Sequence, residues 1–280
     1  MVTRSAGKRA AHARTARRQA ANGKVMAILA RAGLGARGVI YALVGIIAIQ
    51  IALGTSHPPA DSSGAVRLIA ATPFGSMLLW LLVIGFAGLT LWRLSEAIWG
   101  ANGPDGHKRS QRLVRLIKAL FYGFITYGIL KYALGLGAPK SSTAQSVDLT
   151  ATAFKYPGGR SAVGAAGVIL VAIGVYLAYQ AYHAKFMRDM RMGRASPGTR
   201  KTVTRLGQIG GVARGAVFAT VGVFLVVAAV EAKPGKAKGI DSALITLAKT
   251  PLGPWLLGLI AVGLVLFGVY SCCEARWRQV

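Results

Sequence analysis

Residues 36–45 read ARGVIYALVG, and residues 213–222 read ARGAVFATVG. A phrase that returns after 177 residues marks an internal repeat, and a repeat sets the architecture before any single helix does. Downstream, ATPFGSMLLWLLVIG at 71–85 aligns with KTPLGPWLLGLIAVG at 249–263. Pro73 meets Pro251, Gly75 meets Gly253 and Gly85 meets Gly263; farther on, Trp92 meets Tyr270 and Glu96 meets Glu274. A fainter copy lies between them. KALFYG at 118–123 falls on the arginine phrase, Pro157-Gly158-Gly159 near the Pro-x-Gly, Tyr176 on Trp92 and Gln180 on Glu96.

Each copy pairs two strongly apolar stretches. Leu252–Cys273 and Ser161–Tyr182 each run 22 residues without a charge, and Phe74–Trp92 runs 19. About 20 such residues cross a bilayer. The whole chain is 54% hydrophobic yet carries a net charge of +26. A soluble domain rarely combines these extremes, and segregation of the two residue classes along the chain resolves the conflict. Backbone groups in lipid must be satisfied within their own element, which favours helices. The expected fold is therefore an all-α integral membrane protein with six transmembrane helices, arranged as three tandem homologous hairpins in a pseudo-threefold bundle. The expected organisation is a basic disordered arm at 1–26, repeat 1 at 27–100, repeat 2 at 101–185, a basic linker at 186–202 and repeat 3 at 203–280. Between the two spans of each repeat lies a short amphipathic segment: 64–72, 147–156 and 240–250. Each ends at a proline, which suits the first turn of the next helix.

The arm at 1–24 holds seven Lys and Arg and no acid, like the start of a targeting peptide. The apolar run behind it, Gly38–Leu53, is 16 residues long, too long for a signal-peptide core. An uncleaved first spanning helix is expected. Segments 1–37, 93–118, 184–214 and 276–280 hold 25 of the 34 Lys and Arg. The positive-inside rule then puts both termini and both inter-repeat loops in the cytoplasm.

The arginine phrase, the Pro-Phe/Leu-Gly helix start and the tandem two-helix unit resemble the bacterial membrane proteins grouped as domain of unknown function 1206. The resemblance covers about residues 27 to 280; repeat 2 departs from it with Lys118 for the arginine and Gln180 for the acid. It implies a six-helix protein of a bacterial inner membrane and carries no assigned activity or functional residue.

Three polar positions recur. Arg37, Lys118 and Arg214 sit near the basic end of each odd helix; Glu96, Gln180 and Glu274 sit near the same end of each even helix. Trp92, Tyr176 and Tyr270 lie four residues before the latter, on the same helical face. Counting about 1.5 Å per residue puts Arg37 level with Trp92. A stack of arginine on aromatic is thus expected ahead of an ion pair, with the long guanidinium still able to snorkel toward Glu96. Interfacial anchoring explains such residues without further function, whereas a polar cluster lining a cavity would give them one. Lys131 is expected to snorkel to the outer face. Gly207, Gly211, Gly215 and Ala219 form a small-residue stripe for close helix packing.

No constellation supports catalysis, and a non-enzyme is expected. Cys272 and Cys273 are adjacent, no CxxC occurs, and His12, His57, His107 and His183 are scattered, so neither a metal site nor a cofactor is expected. The expected partners are membrane lipids, with anionic headgroups at the cytoplasmic face against the basic arm, or another membrane protein. Nucleic acid is not expected, because the arm has no aromatic to stack on bases. Two functions fit: a scaffold that engages lipid or a partner, or an anion or solute conduit in which Arg37, Lys118 and Arg214 form one ring at a common depth.

Overall fold

The computed structural model describes residues 3–55, 58–99, 109–190, 192–193 and 195–278, giving backbone alone for 3–24, 99 and 109–111. His12 lacks a described side chain, and His57, Asp105 and His107 lie outside the described residues. Nine α-helices are drawn among them: α1 Thr3–Ala52, α2 Ser62–Ala70, α3 Gly75–Trp99, α4 Arg109–Ala133, α5 Ser142–Ala153, α6 Gly159–Tyr182, α7 Pro197–Val230, α8 Ile240–Ala248 and α9 Gly253–Trp277. Six of them (α1, α3, α4, α6, α7 and α9) are long and apolar enough to cross a membrane, and the chain is a multi-pass membrane protein. Residues 3–26 of the basic arm expected at 1–26 are drawn as the first part of α1. Their alanines, arginines and lysines are strong helix formers, and no proline interrupts them.

The three short helices occupy the three amphipathic segments. The next span starts two residues past each proline, at Gly75, Gly159 and Gly253. The reason is a tight turn. A Cβ on these glycines would stand 2.3 Å from the Ala70 carbonyl oxygen, 1.8 Å from that of Ala153 and 2.0 Å from that of Leu247. The Pro-x-Gly signature thus encodes the fold-back of each short helix onto the following span.

The spans neighbour one another in the order α4, α3, α1, α9, α7, α6. The seams between units are homologous: α9 on α1, α3 on α4, α6 on α7. Two of them rest on facing glycines. A Cβ on Gly38 would meet the Gly268 carbonyl oxygen at 2.7 Å, and one on Gly215 would meet that of Gly174 at 2.6 Å. These are the same repeat positions, and the close backbone approach they allow is how helices adhere in lipid. In the α3/α4 seam Thr90 replaces the glycine, and its hydroxyl lies 3.3 Å from that of Thr126.

Within units, α1 packs on α3 and α7 on α9, but α4 and α6 do not pack on each other. Small residues explain the difference. Gly85 faces Ala36, Gly33 faces Leu89, Gly263 faces Ala213 and Gly210 faces Phe267. The corresponding residues of unit 2 are Val114, Ile117 and Ile169, and they are 44%, 57% and 58% exposed. Branched side chains on both helices hold them apart, and the ring has one open seam.

At the end away from the basic loops the ring is closed by a polar hub. The carboxylate of Asp61 caps α2, accepting from the Ser63 and Gly64 amides, and also accepts from the Ser142 amide of unit 2. Asp241 accepts from the Thr143 amide at 3.0 Å and the Ser142 hydroxyl at 2.9 Å. Two acids from units 1 and 3 thereby grip the N-terminus of α5, where orphan amides favour negative charge. At the basic end, residues 185–190 are docked rather than free. Phe186 stacks edge-on with Tyr270 at 4.9 Å, and Met190 bridges to Arg278.

Candidate functional site: a cationic cluster beside the open seam

Arg37 of α1 is buried, 7% exposed, in the seam with α9. Its Nη2 donates to Glu274 Oε2 at 2.5 Å and to Ser271 Oγ at 3.1 Å. Ser271 and Glu274 lie three residues apart, hence on one helical face. The expected precedence of stacking over ion pairing is corrected here. Arg37 stands 5.4 Å from the Phe267 ring, yet its main bond is an ion pair, made between units 1 and 3 rather than toward Glu96. The depth count treated α1 and α3 as level neighbours, but the seam that brings an acid to Arg37 is the one with α9.

Glu274 also binds Arg278, which reaches Asp189 at 3.8 Å and lies 5.2 Å from the Trp92 ring. Arg278 is one residue past the last span. Burial, and next the Arg93 guanidinium, hold its pKa down to about 10. Glu96 is bound by its helix neighbour Arg93 at 2.7 Å and by Arg115 of α4 at 4.0 Å. Arg93 also stacks on Trp92 at 4.1 Å.

Arg214 differs from its counterpart Arg37. Its guanidinium lies 5.6, 5.4 and 5.1 Å from the rings of Tyr41, Phe218 and Phe267. No hydrogen bond or ion pair joins it to any described residue, and its buried Nε has no acceptor. The sequence explains this. Where unit 3 offers Glu274 to Arg37, unit 2 offers Gln180 to Arg214. Gln180 is half-buried. Lys118 is exposed along the edge of the open seam, and the charges of Arg93, Arg214 and Arg278 act on its ammonium. It too makes no hydrogen bond or ion pair to a described residue. The charges of Arg37, Arg214 and Arg93 converge on Tyr122, one turn farther along α4.

The structure thus brings Arg37, Lys118, Arg214, Glu96, Glu274, Trp92 and Tyr270 toward one cluster and leaves Tyr176 outside it. Trp92 and Tyr270 are 4% and 5% exposed, while Tyr176 is 58% exposed, because its helix has no partner across the seam. The three bases differ in their partners: Arg37 is closed on Glu274, whereas Arg214 is packed against three rings. Lys131 is exposed at the far end of α4. The repeat pattern missed Arg93, Ser271, Arg278, Tyr122 and the rings around Arg214. Arg93 was findable, since it stands three residues before an acid on the same helix; Arg278 follows Glu274 by four residues but lies just past the helix end. Among the described residues no three His, Cys, Asp or Glu come together as a metal site.

A protein family described as Domain of Unknown Function (DUF1206) matches this chain three times, over residues 32–100, 115–184 and 209–278. A curated relative, "Uncharacterized protein YxxB" of Bacillus subtilis (strain 168), is 29% identical over 252 residues, covering 89% of this chain and 90% of that protein. No solved structure matches.

Proposed function

The chain belongs to the DUF1206 family, and from that premise we propose that it is a non-enzymatic scaffold of a bacterial inner membrane. Its basic end faces the cytoplasm, and it receives a membrane-embedded occupant along the open seam. One observation carries this reading: α4 and α6 belong to one unit yet are held apart, with their facing positions bulky, apolar and uncovered. Other spans also expose apolar residues to lipid; what sets this pair apart is that neighbouring helices of one unit leave a gap between them that lipid or a partner helix can enter. The distribution of Lys and Arg supports the orientation.

The competing reading is an anion conduit. A basic ring can select anions only while its donors face a hydrated path. Arg37 is instead closed on Glu274 in a buried seam, and Arg214 is packed against three rings. Both contacts favour the scaffold. Liposomes reconstituted with the chain, and with an Arg37→Ala/Arg214→Ala variant, should release chloride no faster than empty liposomes. Flux above that level in the unaltered chain, lost in the variant, would replace the scaffold with a conduit.

A further inference from the structure

The occupant's chemistry is written in the charges that line the seam. The charges of Arg93, Arg214 and Arg278 reach Lys118, and those of Arg37, Arg93 and Arg214 reach Tyr122 one turn along the same helix. The carboxylates nearest to them are already engaged: Glu274 by Arg37 and Arg278, Glu96 by Arg93 and Arg115. Arg214 and Lys118 are left over. Aromatic rings screen a guanidinium but accept none of its five N–H donors in the plane of the group. A buried donor without an acceptor is costly; the Nε atoms of Arg37, Arg67, Arg93 and Arg214 are all in that state, but the first three arginines bond through another nitrogen, whereas Arg214 bonds to no described residue. Gln180, the residue that would have been its acid by repeat, is neutral. The missing group is therefore an anion with several acceptor oxygens, as a phosphate has.

The setting says where that phosphate comes from. Lys118 is reached from the seam, and the seam's walls at Val114, Ile117, Ile169 and Tyr176 are exposed apolar surface. In the bilayer those walls meet acyl chains, and an anionic lipid joins a phosphate to such chains. Lys118 lies in the basic-end half of α4, and Arg214, at the middle of the long α7, stands about 24 Å of helix from its outer end at Val230. We propose that the α4/α6 seam binds one anionic phospholipid, its phosphate held by Lys118 and Arg214 and its acyl chains lying against the uncovered faces of α4 and α6. The proposal rests on the scaffold reading and names the occupant of its seam.

The test uses the full chain in phosphatidylcholine bilayers containing a minority of phosphatidylglycerol with a photoreactive acyl chain. Labelling is expected on α4 and α6, to exceed that by a photoreactive phosphatidylcholine, and to survive excess inorganic phosphate. Each cation removed should reduce it roughly fivefold, from the strength of one basic residue near a membrane surface. Lys118→Gln alters an exposed side chain and keeps the bundle intact, so its fivefold loss stands even where Arg214→Gln fails to fold. Lys118→Arg should retain the labelling. Equal labelling by both lipids, unchanged in Lys118→Gln, would overturn the phosphate site while leaving an open seam. Displacement by inorganic phosphate would replace the lipid with a soluble anion. Absence of any lipid label, together with a disulfide between cysteines placed at Ile117 and Ile169, would instead remove the open seam and the scaffold reading with it.

Discussion

Replacing Glu274 by alanine is expected to destabilise the bundle by about 3–5 kcal/mol, the range for leaving one member of a buried ion pair unmatched. Glu274 is the acceptor for both Arg37 and Arg278, so one truncation strands Arg37 and leaves Arg278 only its longer contact to Asp189 at 3.8 Å. Arg37 retains Ser271, at 3.1 Å, and the Phe267 ring, neither of which carries a charge, in a buried seam. Equilibrium unfolding in detergent micelles would read the change. A Glu274→Leu/Arg37→Leu pair should recover most of the loss, since apolar residues often replace a buried ion pair with little penalty. A single-site loss under about 1 kcal/mol would mean that the pair is hydrated and that the seam is not dry. By contrast, Lys140 and Asp148 form an exposed pair at 2.6 Å, and breaking it should change stability by no more than about 1 kcal/mol.

The second large effect lies at the glycine crossings. Gly215→Val should cost about 3 kcal/mol or more, at the top of the range for overpacking. The new Cβ would meet the Gly174 carbonyl oxygen at 2.6 Å and the Ala178 amide nitrogen at 2.8 Å. Both are backbone atoms, so no side chain can rotate away; α6 must separate from α7. Gly38→Val meets the Gly268 carbonyl oxygen at 2.7 Å and should behave alike in the α1/α9 seam. Gly128 on α4 has nothing within 4 Å of a built Cβ. Gly128→Ala should therefore be neutral or stabilising by up to about 1 kcal/mol through helix propensity. The contrast among three glycines in equally apolar helices, read by the same unfolding assay, separates backbone crossing from glycine content. Equal losses at all three would contradict the assigned seams.

Why did the sequence give up the architecture so readily and the site only in part? The six spans follow from run length and charge segregation, which depend on the bilayer's thickness and not on tertiary detail. The repeat was legible because the Pro-x-Gly turns and the facing glycines leave no steric choice. The neighbour order was not. Homology of the units implies three equal hairpins, and only a comparison of Val114, Ile117 and Ile169 with Gly33, Ala36 and Gly85 shows that the middle one cannot close. The residue identities were present, but their meaning required knowing which faces meet in units 1 and 3.

The candidate cluster shows the same division. The recurring positions pointed to Arg37 and Glu274, yet not to each other, because the bond crosses between the first and last units. A pairing 237 residues apart has no local signature. The polar hub was missed for a related reason. Asp61 and Asp241 lie at the starts of short segments between spans, and nothing in those segments announces that both will serve the start of α5. Gln180 was noted only as a departure from pattern. Its consequence, an arginine left without an acid, appears once α6 is seen beside α7.

The open seam is the claim on which the functional reading stands, and paired cysteines test it in the bilayer. On a Cys272→Ser/Cys273→Ser background, three equivalent pairs are introduced singly: Ala36→Cys with Gly85→Cys, Ile117→Cys with Ile169→Cys, and Ala213→Cys with Gly263→Cys. Built Cβ atoms on Gly85 and Gly263 stand 2.8 and 2.4 Å from those of Ala36 and Ala213, so the helices must part by about 1 Å to reach a disulfide's Cβ separation of about 3.8 Å. Mild oxidation should link the first and third pairs and leave the Ile117/Ile169 pair reduced. Linkage of all three at similar rates would contradict the account.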